Sequence, residues 1–483
     1  MDGRTILRIR PALTTYLHEF DGCFANVRSQ RHLETYVCGQ LGDLERKSVE
    51  PMADAAGVPP RTLQEFLSLA RWDEAAARER LQRRVARRHA HPHSLGIIDE
   101  TSHPKKGNQT ACVQRQHCGA LGKLENCVVS VHLGYAAGNF HTLLDGEPYL
   151  PEEAWHQNRT RCRAAGIPDE VVYRPKWQMA LTQYRRAVAN GVRFGWLTFD
   201  EGYGGKPAFL RELDGCGQNY VAEIPVTCVG WTRPPALLQR RLGRERGRPR
   251  PERRLKVKHT PAGEVRNLLT CSPLLRRVPW QAYRVKDGEK GPLVWEAKCV
   301  PFWVKDEAGL PTGPDHLLIA RNALDPTEVK FFLSNAPPAT PVEVLLLVAF
   351  SRWRIERLFE DSKGELGLDH FEVRQYPALQ RHLLLTCVSH LFLAEFCEQE
   401  KKRTGPDGVP AANGDAAAGA DLEPGWAVLM AAGPDDCSAV DVNAATQRRC
   451  PAQPSQAHAT AFTRSQPLAA RNTHVLLAQG IAL

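Results

Sequence analysis

The spacing of apolar residues changes along the chain and divides it into regions. Up to about residue 90, apolar residues recur at helical spacing in 30–44 and 61–85, with a Gly/Pro break at 57–60. From Ser94 the pattern alternates with a period of two, which is typical of strands. We therefore predict a helical region at 1–90 and an α/β region that begins at residue 94.

The α/β region is predicted to hold five strands and two helices. The strands are expected at 95–98, 127–137, 141–144, 194–199 and 219–224, and the helices at 176–190 and 206–213. Two of these strands end in an acidic residue, Asp99 after the first and Asp200 after the fourth.

Short β-prone segments separated by Pro, Gly and charge fill residues 225–340 and predict an inserted all-β subdomain. One helix from 341 to about 367 and a second at 379–396 then complete the first α/β unit, so 94–224 and 341–400 form one core. Residues 401–483 begin with Ala, Gly, Asp and Pro without periodicity. They are predicted to be a disordered or unassigned tail.

The first of the late helices carries one carboxylate between two cations. At about 100° per residue, Arg352, Glu356 and Lys363 lie at roughly 0°, 40° and 20°. The rest of the helix circumference is mostly apolar and predicts a largely buried helix; its residues include Trp353, Ile355, Leu358 and Phe359. The charged stripe is either an ion-paired helix face or a site for a metal ion or phosphate.

Composition and charge favour a polyanionic partner. The chain has 483 residues and a formal net charge of +9, with basic clusters at 78–88 and 240–253. No apolar run approaches the ~20 residues of a membrane span, and the N-terminus has no secretory signal pattern. The 14 cysteines contain no CxxC pair, which fits reduced thiols in a cytoplasm. The helix, Gly/Pro turn and Arg-rich helix at 1–90 are either a DNA-reading helix-turn-helix variant or a plain helical bundle.

Three acids are expected to meet if the first and fourth strands are neighbours. Their carboxyl ends would place Asp99 and Asp200 together, and a helix packed across that edge would bring Glu356. Converging carboxylates repel unless a cation sits among them, and oxygen ligands select Mg²⁺ or Mn²⁺. Two such ions would activate a water or a 3′-hydroxyl against a phosphodiester. Arg352 and Lys363 would then contact phosphate.

Two further lysines follow the first acid. Lys105 and Lys106 are placed either for DNA backbone contact or in a solvated loop. Glu100 and Glu201 are left out of the site because adjacent strand residues point to opposite faces.

Several motifs in order carry a resemblance to a known family. Arg352, Glu356 and Lys363 match a Tyr-x2-Arg-x3-Glu-x6-Lys signature. Typical segments also occur at 98–101, 104–107, 115–119, 200–204 and 366–369. Over about residues 25–398 the chain resembles the DDE transposases of bacterial insertion sequences. The resemblance implies an RNase H-like mixed sheet with flanking helices, and a β insertion that contacts element ends.

The function implied by this resemblance is metal-dependent cleavage of double-stranded DNA at element ends and strand transfer into target DNA. A homodimer on DNA and a bacterial, nucleoid-associated location go with it. The signature Tyr is replaced by Ala349. Two alternatives therefore stay open, an inactive DNA-binding copy that acts as a repressor and an RNase H-like host nuclease.

Overall fold

The structure, a computed structural model, describes residues 3–238, 253–258, 260–288 and 291–404. Almost all of the predicted tail and of the basic cluster at 240–253 lies outside these residues. The helices are α1 Gly3–His18, α2 Val27–Leu41, α3 Val49–Ala55, α4 Pro60–Ser68, α5 Glu74–Arg88, α6 Arg159–Ala164, α7 Lys176–Ala189, α8 Glu201–Gly204, α9 Pro207–Gly215, α10 Val265–Cys271, α11 Pro273–Arg277, α12 Val342–Phe350, α13 Trp353–Gly364 and α14 Tyr376–Thr404. The strands are β1 Leu95–Pro104, β2 Gln114–Cys118, β3 Lys123–Ala137, β4 Phe140–Pro148, β5 Trp196–Phe199, β6 Tyr220–Glu223, β7 Val229–Trp231, β8 Leu237–Leu238, β9 Arg254–Leu255, β10 Gly263–Glu264, β11 Gln281–Gly288, β12 Gly291–Val304, β13 Asp315–Asn322 and β14 Val329–Ser334.

The central sheet is mixed. Strand β3 pairs antiparallel with β1, β2 and β4. Strand β1 pairs parallel with β5, and β5 pairs parallel with β6. Helices flank this sheet, so the predicted mixed α/β class is confirmed and is consistent with an RNase H-like core.

The strands that follow β6 mostly extend the same sheet. Strand β14 pairs antiparallel with β6, and β13, β12, β7 and β10 continue outward in that order. Strand β11 pairs with β12, while β8 and β9 form a separate two-stranded sheet. The division of the chain at 225 and 340 stays a prediction. Apart from β8 and β9, the described strands of this stretch are hydrogen-bonded into the core sheet.

The N-terminal helices pack against α14. The Tyr16 hydroxyl donates to the Val388 carbonyl at 2.8 Å, and the Gln40 amide donates to Thr386 at 2.9 Å. The single helix expected at 61–85 is wrong, because Asp73 caps a new helix, α5, by accepting from the Ala76 N–H at 2.8 Å.

The arginines of α5 are partly internal. Arg78 is buried and pairs with Asp145 at 2.8 Å, and the buried Arg84 pairs with Glu395 at 2.5 Å. Arg78 therefore joins α5 to β4 of the sheet, and Arg84 joins α5 to α14, as in a packed helical bundle. A DNA-binding role for 1–90 stays a prediction. No helix in the described ranges combines the length and apolarity of a membrane span.

The single helix expected from 341 to 367 is also wrong. Helix α12 ends at Phe350 and α13 begins at Trp353. The Ser351 hydroxyl donates to the Leu347 carbonyl at 2.6 Å, a local bond that competes with the helical backbone ladder. Arg352 therefore lies at a junction between two helices.

Candidate active site

The two aspartates lie at the carboxyl ends of adjacent parallel strands. Pairing of β1 with β5 ends at Ile98 and Phe199, and Asp99 and Asp200 are the next residues of each chain segment. Ile98 and Phe199 are fully buried, so the core fixes the backbone directly before each acid. Strand β1 continues to Pro104, whereas the sequence predicts its end at 98, because β3 pairs with its full length.

Backbone groups hold both carboxylates. An Asp99 oxygen accepts the Glu100 N–H at 2.7 Å. Asp200 caps the short helix α8 and accepts the N–H groups of Gly202 and Tyr203 at 3.0 and 3.4 Å. The strand-end acids are thus oriented by the chain itself.

The two carboxylates also repel each other. Burial and the neighbouring Asp200 raise the pKa of Asp99 to about 7. Burial raises the pKa of Asp200 as well, and Arg352 opposes that rise. Two partly buried acids that disfavour each other's charge form a site that a cation would stabilise.

Arg352 supplies the positive charge at this edge. Its guanidinium contacts Asp99 at 3.2 Å, Glu356 at 3.4 Å and Glu223 at 3.8 Å. A single side chain therefore links one strand-end aspartate, the end of β6 and helix α13. Of the predicted stripe residues, Arg352 is brought to Asp99, and Glu356 contacts the same guanidinium.

Helix α13 packs closely against the sheet where it crosses Gly134 on β3. A Cβ at this position would meet Leu358 Cδ1 at 2.8 Å and Ile355 Cδ1 at 3.0 Å. Both of these residues are fully buried, so a glycine lets the helix lie directly on the strand. Glu356 lies between them in the chain, and its side chain is 66% exposed.

The three predicted acids do not form a closed ligand set. Asp99 and Glu356 both contact the Arg352 guanidinium, which lies between the helix and the strand end. Over the described ranges, no three His, Cys, Asp or Glu side chains are grouped to hold a metal ion. Asp99 and Asp200 offer oxygen donors in a partly buried, electrostatically repulsive pair, which fits a hard divalent cation. Glu356 would complete the set only after Arg352 moved.

The predicted lysines lie away from the acids. Lys363 Nζ lies 3.4 Å from the Ser102 carbonyl oxygen. Ser102 is three residues, or roughly 10 Å, along β1 from Asp99. Lys105 donates to the Phe371 carbonyl at 2.6 Å and lies 3.5 Å from the centre of its ring. Burial lowers the pKa of Lys105 to about 8. Lys106 is exposed.

Sequence reasoning missed two acids at this edge. Glu100 pairs with Lys176 at 2.5 Å and accepts the Tyr203 hydroxyl at 3.4 Å. The charge of Glu100 nevertheless helps to raise the pKa of Asp200. Glu100 therefore belongs to the surroundings of the site, although strand alternation predicts that it points to the opposite face. Glu223 ends β6, the next parallel strand. The strand predicted at 219–224 contains Glu223, and the sequence therefore did not mark this residue as a strand-end acid.

The class of protein follows from the family comparison. The family described as DDE superfamily endonuclease matches residues 19–292, more than half of the chain. The chain belongs to this family, whose members generally use divalent metal ions. The chain is also similar to the probable transposase for insertion sequence element IS701 of Microchaete diplosiphon, with 32% identity over 226 residues. The alignment covers 44% of this chain and 56% of that relative.

Proposed function

We propose that this protein is a DNA transposase of an insertion sequence. It would cleave DNA at the element ends and transfer the freed 3′-hydroxyl ends into target DNA. The observation that carries this proposal is the pair Asp99 and Asp200, partly buried at adjacent parallel strand ends in a chain of the DDE endonuclease family. The similarity to a probable insertion-sequence transposase supports it.

Asp99, Asp200 and Glu356 are the proposed ligands of two Mg²⁺ or Mn²⁺ ions. When bound, such ions supply a nucleophile at neutral pH and stabilise charge on the phosphodiester. Asp99 and Asp200 hold their oxygens in fixed directions through the backbone N–H bonds. Glu356 joins them as the Arg352 guanidinium turns from Asp99 to a DNA phosphate, which it can bind through two parallel hydrogen bonds.

Lys106 and Lys363 are the proposed contacts to the DNA backbone, and both lie toward the Pro104 end of β1 relative to Asp99. Lys106 is exposed in the loop that follows β1, and Lys363 adds a half-buried charge farther along β1. Lys105 instead contacts the 369–371 segment, so we assign it to holding that segment in place. A homodimer on DNA and a cytoplasmic, nucleoid-associated location belong to the same proposal.

Incubation of the full chain with supercoiled DNA that carries the element ends tests the proposal. Mg²⁺-dependent release of 3′-hydroxyl ends, followed by their joining to a second plasmid, is expected. Binding without cleavage in Mg²⁺ and in Mn²⁺ would support an inactive repressor. Cleavage without joining would support a host nuclease.

A further inference from the structure

Three acids stand in a row at the carboxyl ends of three adjacent parallel strands. Asp99, Asp200 and Glu223 each directly follow the last residue that pairs β1 with β5 or β5 with β6. The row therefore continues past the two proposed metal ligands. Its third member, Glu223, has no role in the proposed function.

The backbone of Glu223 is held from three sides. Strand β5 pairs with the residue before it, and β14 pairs Phe332 with Glu223 itself. On the third side, a Cβ added to Gly204 would overlap the Glu223 carbonyl oxygen. The glycine therefore lets α8, the helix that Asp200 caps, lie directly against Glu223. The fold fixes this acid as it fixes the two aspartates.

The two carboxylate oxygens of Glu223 face different cations. Oε1 accepts a hydrogen bond from Lys330 Nζ of β14 at 3.0 Å. Oε2 lies 3.8 Å from the Nε of Arg352, within ion-pair distance but beyond a hydrogen bond. The Glu223 side chain is 20% exposed, so solvent and salt screen this attraction only in part. Lys330 thus orients Glu223 with one oxygen left for the guanidinium.

The guanidinium of Arg352 turns a different nitrogen to each carboxylate around it. Nη1 contacts Asp99 at 3.2 Å, Nη2 contacts Glu356 at 3.4 Å, and Nε faces Glu223. In the proposed function, Asp99 and Glu356 both leave Arg352. Their departure frees Nη1 and Nη2 together, and these two nitrogens can donate in parallel to one phosphate. Of the three carboxylates, only Glu223 is left to hold the guanidinium.

We propose that Glu223 is a positioning residue that presents Arg352 to the DNA. Glu223 keeps the Nε side of the guanidinium in place, and the Nη1 and Nη2 side meets one phosphate. Without this carboxylate, the guanidinium would stay on Asp99 or move on a long side chain, whose ordering costs free energy. The inference rests on the proposed function, because it takes the ligand of Arg352 to be a DNA phosphate.

The sign of the effect on DNA binding separates this role from two simpler ones. A carboxylate beside bound DNA repels its phosphates, so by charge alone Glu223→Gln would tighten binding. Loss of a positioning residue would weaken binding, because Arg352 would no longer be presented. A purely structural role, through the ion pair with Lys330, would lower the melting temperature and leave the contribution of Arg352 to binding unchanged.

The test is a double-mutant cycle on the full chain with duplex DNA that carries an element end. Fluorescence anisotropy gives Kd in Ca²⁺, which also takes oxygen ligands, and gel electrophoresis checks that the DNA stays intact. In the unaltered chain, Arg352→Ala should raise Kd about tenfold, as the loss of charge-assisted hydrogen bonds would give. Glu223→Gln alone should raise Kd about fivefold, and Arg352→Ala should then add less than about twofold.

The matched control is Glu296→Gln. This carboxylate lies on β12 of the same sheet, is 28% exposed and pairs with Arg321 at 2.6 Å. Kd and the tenfold effect of Arg352→Ala should both be unchanged in this variant. Glu223→Gln should also keep the rise in melting temperature that Ca²⁺ gives the unaltered chain, because Asp99 and Asp200 are intact.

Three results would overturn the role of Glu223. They are an equal effect of Arg352→Ala with and without Glu223, tighter DNA binding by Glu223→Gln, and complete loss of the Ca²⁺-induced rise in melting temperature. The last would make Glu223 a metal ligand. If Glu223→Gln is unfolded, Glu223→Asp decides, since it keeps the charge but ends one methylene short of Arg352. The effect of Arg352→Ala should again be lost, and its retention would contradict the role.

Mg²⁺-dependent cleavage is measured on the same preparations. Cleavage by the unaltered chain without coupling between Glu223 and Arg352 removes the role of Glu223 alone. Coupling in DNA binding without cleavage in Mg²⁺ or Mn²⁺ removes the proposed function alone.

Discussion

The acids of the candidate site come from two regions that hold them in different ways. At the sheet edge, Asp99 and Asp200 are partly buried and accept backbone N–H groups at 2.7 and 3.0 Å. On helix α13, Glu356 has a 66% exposed side chain, held at 3.4 Å by the guanidinium of Arg352. The fold therefore fixes two ligands in advance, while the third depends on where one arginine points.

This difference separates two properties of the site. The sheet edge should bind a first metal ion without Glu356, because backbone N–H groups already orient both of its carboxylates and only the Arg352 contact to Asp99 has to be given up. The helix should control whether the bound site becomes active, because Arg352 must leave Asp99 before Glu356 can join. Metal affinity and cleavage are thus expected to respond differently to changes in the two regions.

The largest effect is expected at the sheet edge. Asp99→Ala or Asp200→Ala should reduce Mg²⁺-dependent cleavage by roughly 10³-fold or more, because metal-ion stabilisation of several kcal/mol would be lost. The rate of nicking of end-bearing plasmid measures this. Asp169→Ala is the matched control, since that carboxylate is 61% exposed and contacts Arg159 and Arg163. Cleavage within a few-fold of the unaltered chain would remove the substituted aspartate from the site.

A smaller but large effect is expected on the helix. Glu356→Ala should reduce cleavage by roughly 10²-fold, since the sheet-edge pair would still hold one ion. Glu360→Ala is the control, because that residue is 60% exposed on the same helix and pairs with Arg357 at 3.4 Å. Equal losses for the two variants would show that helix charge in general, and not Glu356 as a ligand, supports cleavage.

The seating of the helix can be tested without touching an acid. Gly134→Ala should lower the free energy of unfolding by about 1–3 kcal/mol, because its Cβ would press on Ile355 and Leu358. Cleavage should fall as well, since α13 would shift from the sheet. Urea unfolding and nicking rates measure the two effects. In Gly215→Ala nothing lies within 4 Å of the new Cβ, and stability should be unchanged or slightly higher.

The smallest expected effect is on the melting temperature, and it separates metal binding from cleavage activity. A saturating Mg²⁺ concentration should raise the melting temperature of the unaltered chain, because a ligand at about 100 times its Kd adds about 2.7 kcal/mol. Glu356→Ala should keep most of this rise, and Asp99→Ala should lose it. A complete loss in the helix variant would contradict the independence of the sheet-edge pair.

The strand-end acids were predictable because alternation and burial locate parallel strands, and parallel strands share a carboxyl edge. The same rule does not find Glu223, because the strand predicted at 219–224 contains this residue, whereas β6 ends at it. The helix junction at Ser351 was not predictable, since a helix-forming sequence does not show where a serine hydroxyl will take a backbone carbonyl. The buried pairing of Arg78 with Asp145 joins residues 67 positions apart, and charge patterning along one helix carries no signal for such a partner.

A crystal structure of the chain with Mn²⁺ and end DNA would test the central claim most directly, with the metal located by its anomalous signal. We expect a metal ion between Asp99 and Asp200 at roughly 2.1 Å from each ligand oxygen. We also expect Glu356 to be turned inward and Arg352 to lie on a DNA phosphate. Metal bound elsewhere, or Glu360 or Glu365 in the place of Glu356, would contradict it.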